Sequence, residues 1–387
     1  MRFAVDAHAI GQQLTGNEVY VRSLLRAFAE IDRESEFIAY ISAAEAERLI
    51  PERFAVRRVP ANPYRRLGWD LARRVRADHP DLLHVQYTAP LVCGAPLIAT
   101  VHDVSYLQHP EYFPSARRRQ LRFTVAQTVK RAAKIITVSE FSRAAILSAY
   151  DIPSEKVHAI PNAANPDFRP IGRERAQKSV RERLGMDAPF VFSVGDLQPR
   201  KNQIGLIAAF AQLLHAIPSL RHHLVLSGKE TWYTPRVREA ARTSGFANRI
   251  HFTGFVTDPE LLELYNACDC FVFPSFYEGF GLPILEAMAC GRAVACSNTS
   301  AMPEVADGAG LLFNPHDTGD IARALKDILI DPELRSRLER LGVQRAAHFT
   351  WQKSARATLD VYREVAASPA PAVAALAALQ IPGQRDR

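Results

Sequence analysis

Two glutamates, Glu278 and Glu286, are separated by seven residues in the stretch 271–291, FVFPSFYEGFGLPILEAMACG. Carboxylates accept hydrogen bonds from pairs of hydroxyls, so this spacing can hold sugar and ribose hydroxyls on either side of a diphosphate. Gly279 and Gly281 lie between them, and a backbone without Cβ can approach a ligand closely. Upstream, Arg200 and Lys201 precede an amphipathic helix carrying Ile204, Leu206, Ile207 and Phe210. A helix dipole disfavours cations at its N-terminus, and a bound diphosphate is the expected source of the offsetting charge. His102 and Asp103 follow an apolar run. There an imidazole and a carboxylate can position sugar hydroxyls, and Asp103 can accept an acceptor hydroxyl proton.

The elements that must carry these groups are strands and helices in alternation. Residues 271–291 read as strand, glycine loop and helix, with Pro283 at a first helical position and Gly291 able to end the helix. Such a loop aims free N–H groups and a positive dipole end at a phosphate. Earlier, a strand at 3–6 leads through Gly11, Gly16 and Asn17 into a helix with Val19, Leu24 and Phe28, Gly16 making a tight turn between them. Apolar runs at 36–41, 82–85, 97–101 and 134–138 alternate with helical stretches, which predicts a doubly wound parallel sheet. Ligands of such sheets sit beyond the strands' carboxyl ends. Polar stations fall there at 84–88, 100–103 and 137–142, although Ser139 reads equally well as a helix N-cap. A proline- and asparagine-rich linker at 160–166 and the variable segment that follows it at 170–188 separate a second series of strands at 190–194, 224–227, 250–256 and 293–296. Residues 318–349 are expected to be helical, followed by a last helix and an Ala- and Pro-rich tail.

A chain of 387 residues exceeds one typical core and predicts two domains. Its 48% hydrophobic and 23% charged residues fit a soluble globular protein, and no apolar run approaches the roughly 20 residues of a membrane span. Asp6 and His8 interrupt the N-terminus too early for a signal peptide. Five cysteines without paired spacing fit buried thiols in a reducing cytoplasm rather than disulfides or a zinc site. Of the net charge of +7, residues 1–166 supply +5, from 22 Lys and Arg against 17 Asp and Glu. No nucleic-acid motif accompanies the arginine clusters, so a phosphate-bearing acceptor or an anionic membrane face is the better match. The G-x-G-x-x-G fingerprint of a dehydrogenase is absent, as is a D-x-D pair for a metal-bound nucleotide sugar.

The string E-G-F-G-L-P-x-L-E from Glu278 to Glu286 resembles the EX7E signature of retaining glycosyltransferases of family 4, which have the GT-B fold. Matches to the same family run along the chain, at 15–20 (TGNEVY), 102–103 (HD), 139–143 (SEFSR), 199–202 (PRKN) and 303–305 (PEV). The resemblance implies an α/β protein of two Rossmann-like domains facing a cleft. These would be an acceptor domain over 1–166 and a nucleotide-sugar domain over 167–350, with a helix at 351–366 crossing back and a disordered tail at 367–387. By the same resemblance Glu278 meets donor-sugar hydroxyls, Glu286 the ribose, and the amides of Phe280, Gly281 and Leu282 the diphosphate. Arg200 and Lys201 neutralise the leaving group and His102 positions the sugar. Gly16 lies against the donor phosphate, Phe255 and Val256 at the base, and Asn17, Asp103 and Ser139 on the acceptor side. Many relatives carry Arg where this chain has Asp196, so anion binding is expected to rest on Arg200, Lys201 and backbone amides. The match is greatest to bacterial mannosyltransferases. It implies GDP-mannose as donor, a saccharide or polyprenyl-linked saccharide as acceptor, no metal or other cofactor, no nucleic acid, and a cytoplasmic enzyme in peripheral contact with an anionic inner membrane face. The rival readings are an epimerase or phosphorylase on the same fold, or a non-catalytic nucleotide- or glycan-binding relic.

Overall fold

The computed structural model describes residues 1–12 and 15–368; the expected tail lies outside these from residue 369 on. Two all-parallel sheets are present. The first has seven strands in the order Ala55–Arg58, Glu36–Ile41, Arg2–Asp6, Leu82–Gln86, Leu97–Thr100, Lys134–Thr137 and Val157–Ala159. The second has six, ordered Ile250–Gly254, His223–Ser227, Phe190–Val194, Cys270–Phe273, Val294–Ser297 and Leu311–Phe313. Successive residues of a strand point to opposite faces, so each sheet feeds two apolar layers: Phe3 and Val5 enter one, Ala4 the other. Both sheets wind outward from a central strand pair, the α/β architecture expected from the alternating pattern.

The last helix, Trp351–Ala367, buries Trp351, Leu359 and Tyr362 in the layer shared by Phe3 of the first sheet and Phe28 of the helix Thr15–Ile31. Tyr362 also meets His84, whose Nδ1 lies 2.6 Å from the phenol while its Nε2 lies 2.7 Å from Thr100 Oγ1. Burial pushes the His84 imidazole down to about 3, so it is a neutral core residue. No described helix is long and apolar enough to cross a membrane.

Two local expectations gain detail and two are corrected. The variable segment 170–188 carries the helix Arg173–Leu184, whose Ala176 and Val180 enter the core. Residues 318–349 form two helices, Thr318–Ile330 and Pro332–Ala347. The residue before a proline is driven out of helical geometry, and Asp331 instead caps the second helix by accepting from Glu333 N and Leu334 N. The strand from Ile250 stops at Gly254, whose φ of +70° ends it. Gly16 does not make the turn after the first strand: it lies in the first turn of the helix Thr15–Ile31, and a Cβ there would meet open space. The left-handed residue is Gly11, with φ +77° and Ala43 Cβ only 3.1 Å from a hypothetical Cβ; its N–H is held by the Glu18 carboxylate at 2.9 Å.

Candidate active site

The carboxyl ends of the two sheets face each other, and a glycine lets their backbones come together. Gly279, beyond the strand Cys270–Phe273, lies so near the first sheet's His102 that a Cβ would stand 2.3 Å from the His102 carbonyl oxygen. The missing side chain at 279 therefore admits the backbone of the opposite sheet, not a ligand as the sequence led us to expect. Two serines fasten this contact. Ser139 Oγ donates to the Gly279 carbonyl at 2.7 Å, and Ser142 Oγ lies within 3.0 Å of the same oxygen and 3.1 Å of His102 O. Ser139 is fully buried and also accepts from Ser142 N as the N-cap of the helix Glu140–Tyr150. The structure thus gives Ser139 a role between the sheets and does not turn its hydroxyl toward an acceptor. A second tether comes from Glu304, whose carboxylate accepts from Glu140 N and Phe141 N across the interface at 3.0 and 3.1 Å. A third is the Arg22–Asp258 ion pair at 2.9 Å.

Glu278, one residue before the contact, is only 9% exposed and is clamped by two cations. Arg200 Nη1 and Lys201 Nζ each lie 2.7 Å from one of its carboxylate oxygens. Burial alone would raise the carboxyl, but the two cations win and hold it at about 2. The same burial lowers the Lys201 ammonium, which Glu278 offsets in part, while for Arg200 the carboxylates of Glu278 and Asp103 outweigh burial and raise it. The charge that offsets this cation pair is thus Glu278, 77 residues away, and not only an incoming diphosphate as the helix-dipole argument held. Two residues place the pair. Asn202 adopts a left-handed conformation (φ 54°) and its side-chain amide donates to the carbonyls of Pro274 and Pro315. Gly195 leaves room for the Lys201 stem, which would lie 3.0 Å from a Cβ at 195. Asp196 is turned aside, its Oδ1 accepting from Lys229 N at 3.3 Å.

Glu286 sits in the helix Leu282–Ala289, capped by Gly281 at φ +112°. It is 7% exposed and accepts from the Tyr265 hydroxyl at 2.9 Å. Burial pushes its carboxyl up to about 7, against the Tyr265 hydrogen bond and helped by Asp258. The two glutamates of one motif are therefore held in opposite states, Glu278 fully ionised and Glu286 poised between acid and base at neutral pH. The amides at 280–282 stand at this helix start, while the Phe280 ring itself packs in the core against Phe349.

On the facing sheet, His102 Nε2 lies 3.0 Å from Gln86 Oε1, and Tyr20 meets the ring edge-on at 4.8 Å. An amide oxygen can only accept, which puts the proton on Nε2 and leaves Nδ1 as an acceptor. Burial lowers the imidazole to about 4, so it is neutral at physiological pH. Asp103 Oδ1 accepts from Ser105 N and Oγ, at 2.8 and 2.6 Å. Asn17 is half-buried in the first turn of its helix. Phe255 is exposed beside half-buried Val256, just past the strand ending at Gly254, with Lys229 Nζ 5.4 Å from its ring centre. Gln86 and Ser142 fall within the polar stations at 84–88 and 137–142, and Asn202 follows Arg200 and Lys201, but sequence reasoning gave none of the three a role of its own.

Comparisons with known proteins agree with this geometry. A model of glycosyl transferases group 1 matches residues 174–345, and one of glycosyltransferase family 4 matches 14–168. O-antigen chain mannosyltransferase B of Escherichia coli is 34% identical over 266 residues, 69% of this chain and 70% of that protein. The serotype-specific mannosyltransferase WbdA of the same species is 34% identical over 268 residues, 68% of this chain but only 33% of WbdA, so the chain spans a third of that longer protein. Among solved structures, Anabaena HepE in complex with UDP and glucose superposes with a TM-score of 0.74 over 93% of this chain and 98% of its own, at 21% identity, a likeness of fold. From the paired parallel sheets, the motif they carry and the length of these matches, the chain belongs to the group 1, family 4 glycosyltransferases and has their GT-B fold.

Proposed function

We propose that the protein transfers mannose from GDP-mannose to a hydroxyl of a saccharide or polyprenyl-linked saccharide, with retention of anomeric configuration and without a metal ion. The mannosyl choice rests on the mannosyltransferase relatives. The observation that carries the chemistry is the buried clamp of Arg200 and Lys201 on Glu278. A diphosphate arriving at the helix start gives both cations a second acceptor and frees Glu278 to take hydroxyls of the donor sugar. As the glycosidic bond breaks, charge grows on the leaving diphosphate, and cations already fixed in a water-poor site stabilise that charge without reorganising. Neutral His102 offers Nδ1 to a sugar hydroxyl, with Gln86 fixing its tautomer. Glu286 takes the ribose hydroxyls, and Asp103 and Asn17 lie on the acceptor side. In front-side transfer a donor phosphate oxygen removes the acceptor proton, so no second carboxylate is needed as nucleophile.

The test is a thermal-shift panel with GDP, UDP, dTDP and ADP, each with and without Mg²⁺. A ligand at a hundred times its Kd stabilises by about 2.7 kcal/mol, which such an assay resolves. A shift for GDP alone, indifferent to Mg²⁺, is the expected result. A shift for UDP or dTDP alone would overturn the mannosyl donor, and one that requires Mg²⁺ would overturn metal independence.

A further inference from the structure

Five of the twelve large apolar side chains exposed among the described residues come from the first sheet's outer loops and one helix. Tyr64, Trp69, Leu91, Val92 and Phe123 are between 63% and 79% exposed. Backbone and side-chain hydrogen bonds join their segments into one surface. Leu91 N donates to Leu67 O at 3.0 Å, which ties the loop at 87–96 to the segment bearing Trp69. On its other side the loop meets the helix Ser115–Arg131, through Thr88 Oγ1 to Thr124 Oγ1 at 3.2 Å and Ala89 N to Thr128 Oγ1 at 2.9 Å. That helix buries Leu121, Val125 and Val129, which leaves Arg119, Arg122, Phe123 and Lys130 on an outward face at helical spacing.

The charge on these segments is predominantly positive. Residues 112–139 contain seven Lys and Arg and no Asp or Glu, and residues 53–69 and 82–102 also lack carboxylates. Asp70, next to Trp69, is held by Arg74 at 2.7 Å and Arg73 at 3.6 Å, and exposed Glu111 directly precedes the stretch 112–139. Arg65, Arg117, Arg119 and Arg122 appear in no ion pair among the described residues, whereas ion pairs are frequent elsewhere on the molecule. Large apolar side chains exposed on linked segments, among unpaired cations, are costly to leave in water and suit a surface that is apolar beneath and anionic above.

We infer that this face docks on an anionic lipid bilayer, with Trp69, Leu91, Val92 and Phe123 entering the interfacial layer and the arginines pairing with lipid phosphates. Trp and Phe at the level of the headgroups, flanked by cations, anchor proteins without spanning the bilayer. The geometry also serves the reaction. The loop at 87–96 begins at Tyr87, whose ring lies 5.6 Å from that of His102, and the basic helix starts three residues after Tyr112, which stacks on Phe276 of the facing sheet. A docked face would thus lie beside the first sheet's wall of the site, where an acceptor held in the bilayer could reach it. Docking of this face is independent of which donor the site takes.

The test is co-sedimentation of the full chain with phosphatidylcholine vesicles and with mixed phosphatidylcholine–phosphatidylglycerol vesicles, at low and high salt. Binding is expected only to the mixed vesicles, and weaker in high salt. Each of Arg119→Gln and Arg122→Gln should lower partitioning about fivefold. The pair Trp69→Ser and Phe123→Ser should abolish it, while the GDP thermal shift measured on the same protein stays as in the parent. No sedimentation, equal sedimentation with neutral vesicles, or an undiminished Trp69→Ser, Phe123→Ser variant would each overturn the inference. So would a self-association that these two substitutions abolish in the absence of lipid, which would assign the face to a second copy of the chain.

Discussion

Replacing Glu278 by glutamine removes one negative charge from the cation clamp and keeps its shape. The carboxyl is held at about 2, well below its ordinary 4.5. A group whose folded pKa is depressed contributes stability above its unfolded pKa and loses it as the pH falls through the folded one. At about 1.4 kcal/mol per pKa unit, Glu278 contributes on the order of 3 kcal/mol at pH 7, and the substitution leaves two cations buried without their counter-charge. Thermal denaturation of Glu278→Gln at pH 7 should fall by about 6–12 °C in the transition of the second half, and the gap should close as the pH drops from 4.5 toward 2. The variant also frees Arg200 and Lys201 for a diphosphate. GDP, followed by calorimetry, should therefore bind more tightly to Glu278→Gln than to the parent even though sugar transfer is lost. A variant as stable as the parent at pH 7, or one that binds GDP more weakly, would refute the view that Glu278 and the diphosphate share one pair of cations.

Two further outcomes follow from the same geometry. Gly279→Ala places a methyl 2.3 Å from the His102 carbonyl oxygen, a backbone atom that cannot swing away. Both cores are untouched, so the protein should fold with nearly the parent's melting temperature. A misplacement of about 1 Å at a reacting centre costs roughly a hundredfold, so transfer should fall by at least that much, and scattering from the GDP complex should show a larger radius of gyration; a parent-like rate would sink the claim that this contact sets the site. Glu286, raised to about 7, should make donor binding pH-dependent. Hydroxyl donors favour the ionised carboxylate, so affinity for GDP should rise with pH through about 7, with proton release seen by calorimetry in buffers of different ionisation enthalpy; Glu286→Gln should flatten the profile. The sign for stability is opposite: a raised carboxyl favours the folded state most below 4.5, and that contribution declines as the pH climbs to 7.

What could be read from the sequence was local. Glu278 and Glu286 belong to one strand, loop and helix, and proline at 283 with glycine at 281 fixed that reading before any tertiary contact was known. The alternation of apolar runs likewise revealed parallel sheets, because strands buried on both faces are continuous in sequence. What escaped was set by pairs far apart in the chain. Nothing near Arg200 shows that its partner is Glu278, and nothing near Gly279 shows that a carbonyl from residue 102 occupies the space of its side chain. Ser142 looks like any residue early in a helix until two carbonyls from different sheets meet its hydroxyl. The edge strands Ala55–Arg58 and Leu311–Phe313 were missed for a different reason: with three or four residues each, they carry too few apolar positions to stand out from a loop.

The return of the helix Trp351–Ala367 to the first sheet bears on how the chain is made. A ribosome delivers the first sheet early, yet the surface of Phe3, Phe28 and Phe37 is closed only when Trp351, Leu359 and Tyr362 emerge. Roughly 200 residues separate the last strand of that sheet from the end of its cover, or about 10–40 s of synthesis at common rates. Through that interval the nascent chain displays an aromatic surface with no partner of its own, and the whole second sheet is built meanwhile. The two halves are thus not independent in time: the one translated first is the last to be finished, and a chaperone that shields apolar segments has its natural target in the face that waits for Tyr362.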